Sequence, residues 1–268
     1  MALLSLAYFV AVSTVSAATA GFSEPVDIAF KAKIDGYQQR YVLMLPLDFN
    51  KSEKRDLTIA LHGHGSDRWQ YIQNDRDECK AARDVAAKHN MIFISPDYRA
   101  TTSWMGPKAE VDVVQIIKDI RRKYKIEQVF LIGGSMGASS ALTFAVLHPE
   151  LINGVCSQNP TVNHLEYANF QDAISESFGG AKTKIPLEYK KRSAEYWPEK
   201  FTFPVAITTG GKDEVVPPQS AIRLANVLKT IGKKVLLIHR EETGHSTDYE
   251  DTVAAFEFVI SNAKGGEK

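Results

Sequence analysis

The chain has 268 residues, 44% of them hydrophobic, and its 32 basic residues balance 32 acidic ones. That length and composition suit one domain with a sizeable core. With no basic face or run to meet a phosphate backbone, nucleic acid is not an expected partner.

Residues 1–20 contain no Asp, Glu, Lys or Arg and end in small residues, with Val15-Ser16-Ala17 and Ala18-Thr19-Ala20 both fitting a small-x-small cleavage site. The stretch is too short to span a bilayer comfortably. It is expected to be a signal peptide cleaved near 17–20, which implies a secreted or periplasmic protein. No later segment is apolar enough to cross a membrane, so the remaining 21–268 are expected to form a domain with no stable membrane span.

Residues 26–34 and 38–45 flank Asp35-Gly36, a hairpin signal. Short apolar runs rich in β-branched residues then recur at 57–61, 91–95, 128–132, 154–157, 204–208 and 234–238. Helix-length stretches separate most of them: 76–89, 111–124, 138–147 and 217–231, with 247–263 last. Buried parallel strands read as continuous apolar runs, and each needs a crossover to the next. The pattern predicts an α/β fold: a mostly parallel sheet with helices on both faces, entered through an antiparallel pair.

Gly133-Gly134-Ser135-Met136-Gly137 follows one predicted strand and opens a helix of small residues. This strand–turn–helix setting is what a G-x-S-x-G nucleophile elbow requires. The turn strains the serine, the glycines allow strand and helix to approach, and the hydroxyl stands at a helix N-terminus that favours negative charge. Ser135 is therefore the expected nucleophile, and it needs a base. Of seven histidines, His245 alone lies in a loop between the last strand and the last helix, at the strand ends where catalytic groups gather. An acid that orients the imidazole falls between serine and histidine in this chain order. Asp213 in Gly210-Gly211-Lys212-Asp213-Glu214 fits, with Glu214 a near competitor and Asp172 a distant one. Two backbone donors must hold the oxyanion. Met136 supplies one, and the Leu61-His62-Gly63-His64-Gly65 turn the other, through His64 first and Gly65 second.

These ordered motifs resemble the α/β-hydrolase superfamily. The closest likeness is to compact prolyl-oligopeptidase-type esterases and to feruloyl-esterase or polyhydroxybutyrate-depolymerase-like enzymes. His148-Pro149-Glu150, Val215-Val216-Pro217 and Gly244-His245 extend the match over about residues 40–260. The resemblance implies an α/β-hydrolase fold with an eight-stranded sheet, a Ser-His-Asp triad and hydrolysis of carboxylic esters through an acyl-enzyme. It implies no cofactor and no metal. The propeller of the larger prolyl-oligopeptidases would not fit in this length, which tells against peptides as substrates. In this topology the helix carrying Cys79 and the strand carrying Cys156 stand several strands apart, so two unpaired thiols are expected.

Substrate-side signals are fewer. Residues 163–200 are too long for a simple connection. They carry six aromatics, and form either a small lid or an insertion that packs its own rings. Trp104 and Trp69 lie in loops after strands, where they would wall an aryl or apolar acyl group. The expected partner is a small-molecule or polymer-attached ester. A serine exopeptidase acting on small peptides is the alternative within the same chemistry, and a catalytically idle fold used for binding is the alternative outside it.

Overall fold

The computed structural model describes residues 21–264; the expected signal peptide lies outside them. One eight-stranded sheet runs in the order β1-β2-β4-β3-β5-β6-β7-β8. Its strands are β1 (Val26–Lys31), β2 (Gln38–Met44), β3 (Arg55–Leu61), β4 (Ile92–Pro96), β5 (Ile126–Gly134), β6 (Gly154–Gln158), β7 (Val205–Gly210) and β8 (Val235–Arg240). The β1–β2 and β2–β4 pairs are antiparallel and every pair from β4 to β8 is parallel. The order of apolar runs predicts the mostly parallel sheet with its antiparallel entry, and the eight strands are those of the α/β-hydrolase fold that the resemblance implies. The first connection is longer than a tight two-residue hairpin: residues 32–37 make the turn, with Gly36 at φ +76° where a side chain would be strained.

The central strands read as unbroken apolar runs because both faces are covered: β4, β6 and β7 are buried at every position. Alternate residues serve opposite faces. Leu57, Ile59 and Leu61 with Val129 and Leu131 join one core, while Ala60, Phe130 and Ile132 join the other. The first core is closed by α3 (Pro107–Lys123), α4 (Met136–Leu147) and α7 (Gln219–Thr230). The second is closed by α1 (Gln70–Gln73), α2 (Asp77–Lys88) and α8 (Tyr249–Lys264). Helix α3 starts four residues before the apolar spacing suggests because Pro107, with its fixed φ and missing N–H, suits the first turn. The edge strand β1 has only exposed and half-buried positions instead.

The chain passes from β3 out to β4 through α2 on one face, then crosses back over β3 to β5 through α3 on the other. Right-handed crossovers running in opposite directions require this change of face. The strand order therefore reverses at β3, and the crevice between the carboxyl ends of β3 and β5 is the position where such sheets bind ligands. His64 lies just past the first of these ends and Ser135 just past the second.

Residues 163–200 form α5 (Gln171–Phe178), α6 (Pro186–Arg192) and two 3-10 turns. Tyr167, Ile174, Phe178 and Tyr189 are buried in the first core. The segment is thus an insertion packed onto the domain, and only its Phe170 reaches the cavity over Ser135. Cys79 and Cys156 are both buried and unpaired. Burial raises both thiol pKa values, that of Cys79 to about 11.

Candidate active site

Ser135 takes φ 58° and ψ −120°, a conformation that non-glycine residues rarely adopt. The turn is held from both sides. Ser135 N donates to Gln158 O on β6 (2.8 Å), and Ser135 O accepts from Ser139 N (3.0 Å) and Ser139 Oγ (3.2 Å). The flanking glycines are needed for closeness. A β-carbon on Gly137 would stand 1.9 Å from Leu61 O, and one on Gly133 would stand 2.5 Å from Gly137 C. Strand β3, strand β5 and the start of α4 meet there without room for a methyl group.

Two further glycines bring the acid to the base. A β-carbon on Gly210 would lie 2.1 Å from Gly244 O, and one on Gly211 would lie 2.5 Å from Glu241 O. The loops after β7 and β8 consequently pack backbone to backbone, joined by Lys212 N to Thr243 O (2.8 Å) and Gly211 N to Arg240 O (2.8 Å). Within this junction Asp213 Oδ2 lies 2.6 Å from His245 Nδ1. The other oxygen, Oδ1, accepts from Val215 N (3.0 Å) and Val216 N (2.8 Å). The Asp213 side chain is 1% exposed and that of His245 25% exposed. Glu214 points to solvent beside a different cavity, and Asp172 is exposed in the first turn of α5. Asp213 is the carboxylate that the fold sets against the imidazole.

Ser135 and His245 face one cavity of about 320 Å³, together with His64, Gln70, Asn74, Arg76, Glu78, Gln158, Asn159, Phe170 and Val215. No hydrogen bond joins Ser135 Oγ to His245 in this resting geometry; such contacts tighten when substrate binds. Among the described residues the His64 and Met136 amides make no hydrogen bond, whereas Gly65 N donates to Thr101 O (2.8 Å). Of the two candidate amides in this turn, that leaves the one of His64 open and the one of Gly65 engaged. His62 is fully buried and structural: its ring nitrogens meet Gly63 O (2.8 Å) and Asp97 O (3.0 Å), pinning the turn.

The two tryptophans lie elsewhere than expected, and neither lines the cavity. Trp104 is wholly buried because Tyr167 and Phe170 cover it, with ring centroids 5.8 and 5.7 Å away. It works from behind the wall, donating Nε1–H to His64 Nδ1 (3.3 Å). His64 in turn packs on Phe170 with ring centroids 4.4 Å apart, and burial lowers its pKa. Trp69 packs on the second core with Arg68 over its ring at 5.6 Å. The apolar wall is Phe170 and Val215; the rest of the lining is polar. Sequence reasoning passed over Gln158 and Asn159, although the carboxyl end of β6 is a position where ligand-facing groups collect.

A strained serine at an elbow, an imidazole held by a buried carboxylate and two idle amides make up the machinery of a serine hydrolase. The model of the prolyl oligopeptidase family matches residues 84–261, and the chain belongs to that family. Its fold is that of the α/β-hydrolase superfamily. Solved structures share the fold at low identity. An acylaminoacyl peptidase of Pyrococcus horikoshii superposes with a TM-score of 0.70 at 15% identity, over 92% of this chain and 43% of its own. The fluorophosphonate-binding serine hydrolase F of Staphylococcus aureus gives 0.68 at 16% identity, over 90% of this chain and 98% of its own. A thermostable esterase gives 0.63 at 21% identity, over 90% and 63%. The chain spans 36–43% of the length of the peptidase and puromycin hydrolase structures it matches. No curated protein sequence is detectably similar to it.

Proposed function

We propose that the protein hydrolyses carboxylic esters, with Ser135 as nucleophile, His245 as general base and Asp213 as the acid that orients it. The observation that carries this is the 2.6 Å Asp213–His245 pair opening onto the cavity that holds the strained Ser135. Ser135 Oγ attacks the ester carbonyl carbon while His245 Nε2 takes its proton. The carbonyl oxygen becomes an oxyanion between the Met136 and His64 amides. Collapse expels the alcohol, protonated by His245, and leaves an acyl group on Ser135. Water enters, gives a proton to His245, attacks the acyl carbon and releases the acid, returning the proton to Ser135.

Ester rather than amide cleavage is favoured by what the 163–200 segment does with its acids. Glu166 is paired with Arg223, Asp172 is exposed, and Glu176 lines a separate cavity. None of them faces Ser135, so this segment adds no carboxylate to the cavity over the nucleophile. An ester leaves more readily and needs less anchoring. Ser135→Ala should abolish turnover of p-nitrophenyl acetate and of labelling by a fluorophosphonate, with the fold intact by circular dichroism. Activity within a few-fold of the parent protein would overturn the assignment. A folded parent protein that neither cleaves esters nor takes the label would instead be a binding module.

Export is proposed on the uncharged, alanine-ending first twenty residues. Mass spectrometry of the secreted protein should show a start at Ala18 or Gly21; full-length chain in the cytosol would refute it.

A further inference from the structure

The floor of the cavity gathers around Gly134, the residue before the nucleophile. A β-carbon there would stand 3.4 Å from Tyr71 Oη, 3.8 Å from Gln158 Oε1 and 3.9 Å from Glu78 Cγ. Glu78 belongs to the first turn of α2, and its side chain is 17% exposed. Its partner is Arg76, whose Nε lies 3.3 Å from Glu78 Oε1 and whose side chain is 56% exposed. The carboxylate therefore sits deep beside the nucleophile, and its counter-ion stands at the mouth.

The amides of the same floor have their donors turned into the protein. Gln158 Nε2 donates to Thr252 Oγ1 (2.8 Å), and its oxygen accepts a hydrogen bond from Tyr71 Oη (3.2 Å), which leaves one lone pair open. Asn159 Nδ2 donates to Thr247 Oγ1 (3.1 Å), and its Oδ1 is buried without a partner, although Asn159 lines the cavity. Asn159 is 6% exposed, so water does not make good that loss from outside. One carboxylate and two amide side chains thus border the space next to Ser135. An apolar acyl chain there would strip Glu78 and Gln158 of solvent without replacing it and would leave Asn159 Oδ1 unpaired, which is costly. A carboxylate would meet Glu78 with like charge. A protonated amine carries three donors, no acceptor and the complementary charge.

Building on the reading of Ser135 as an ester-cleaving nucleophile, we propose that Glu78 selects substrates bearing a protonated amine next to the scissile carbonyl, with Gln158 and Asn159 accepting its remaining hydrogens. Arg76 yields its contact at little cost, since an ion pair with one exposed partner contributes little. The amine replaces it at Glu78, and the guanidinium is left in water at the mouth.

The test compares two aryl esters that share a leaving group, one of alanine and one of propionic acid, which differ by a single ammonium. The ratio of their kcat/KM values is taken in the parent protein and in Glu78→Gln. Dividing one ratio by the other cancels the greater intrinsic reactivity of the aminoacyl ester. The ratio should fall by about ten- to a hundredfold in the variant, the worth of a hydrogen bond to a charged group. A second measurement needs no variant to fold: alaninamide should inhibit hydrolysis of the propionate ester about tenfold more tightly than propionamide does. Equal inhibition, or a ratio unchanged within about twofold, overturns the Glu78 assignment while the esterase reading stands. A protein that cleaves neither ester refutes both.

Discussion

Trp104 donates its indole N–H to Nδ1 of His64 across 3.3 Å, from a position with no exposed surface. The residue whose backbone amide is proposed to receive the oxyanion thus has its side chain fixed by a buried ring. Because the ring of His64 also packs on Phe170, its orientation and that of the turn are coupled. Trp104→Phe keeps most of the packing and removes the donor. Loss of one hydrogen bond, about 0.5–1.5 kcal/mol, should lower kcat by about two- to tenfold with KM little changed. A fall in Tm with kcat preserved would make Trp104 a packing residue only.

That contact also shows what the sequence could and could not convey. The strands and helices were legible because burial on both faces imposes continuous apolar runs, and crossover helices impose their own spacing. Ser135, His245 and Asp213 were legible because each is tied to a local glycine-bearing turn at a strand end. Nothing local separates an exposed Trp104 from a buried one: its cover, Tyr167 and Phe170, comes from more than sixty residues later in the chain, as the 64–170 and 104–170 ring contacts show. The same holds for Glu78, which reads as an ordinary acidic residue in a first helical turn until β5 brings Gly134 beside it. Periodicity reports which face a residue occupies, and cavity linings are set by loops meeting from several strands.

The contact between Gly137 and Leu61 is a test of the elbow as a structural element. Gly137→Ala would place a methyl carbon 1.9 Å from Leu61 O and 2.8 Å from His62 O, both backbone atoms in buried structure. Neither can move without displacing β3 or α4, so the cost should exceed about 3 kcal/mol. Soluble yield and thermal unfolding measure it. A variant melting within about 2 °C of the parent protein would show that the junction is far looser than this.

Acid sensitivity should begin near neutrality because of His164. It is wholly buried, edge-on to Trp104 and Phe178, with Thr143 Oγ1 at 3.4 Å from Nε2 and no partner on Nδ1. Burial, helped by the nearby Arg192 charge, holds its pKa down to about 3 from an ordinary 6.5. Between those values the unfolded chain binds a proton at this residue and the folded one does not. Stability therefore rises with pH across that window and is lost as pH falls below about 6.5, at up to about 1.4 kcal/mol per pH unit for one proton. His62 and His64, also lowered by burial, act in the same direction. Asp35 and Glu110, each held near 2 with partners Arg99, and His148 with Arg192, add their loss only at lower pH. Urea midpoints from pH 7 to 5 should fall for the parent protein and fall less for His164→Phe. Parallel curves for the two would remove His164 from the account.

The last expectation separates Asp213 from its neighbour. Both carboxylates sit in one loop, and sequence order alone favours neither strongly. The structure divides their environments: Asp213 is buried and accepts two backbone N–H groups on the oxygen that does not meet His245, whereas Glu214 is exposed. Those two amides fix the carboxylate plane, so that Oδ2 is presented to Nδ1 and His245 holds its proton there, leaving Nε2 open for the proton that the proposed attack takes from Ser135. Asp213→Asn keeps the shape but can offer an N–H to Nδ1, which favours the tautomer with the proton on Nε2. The base is then blocked rather than merely weakened. kcat should fall by about four orders of magnitude, as loss of the orienting acid does in serine hydrolases of unrelated fold. Glu214→Gln should stay within about twofold of the parent protein, since a solvated carboxylate away from the imidazole gives little to the transition state. The measurement is the initial rate on p-nitrophenyl acetate with active-site titration, so that a change in folded fraction is not read as a change in chemistry. If Glu214→Gln is the crippled variant and Asp213→Asn turns over normally, the orienting acid has been misassigned.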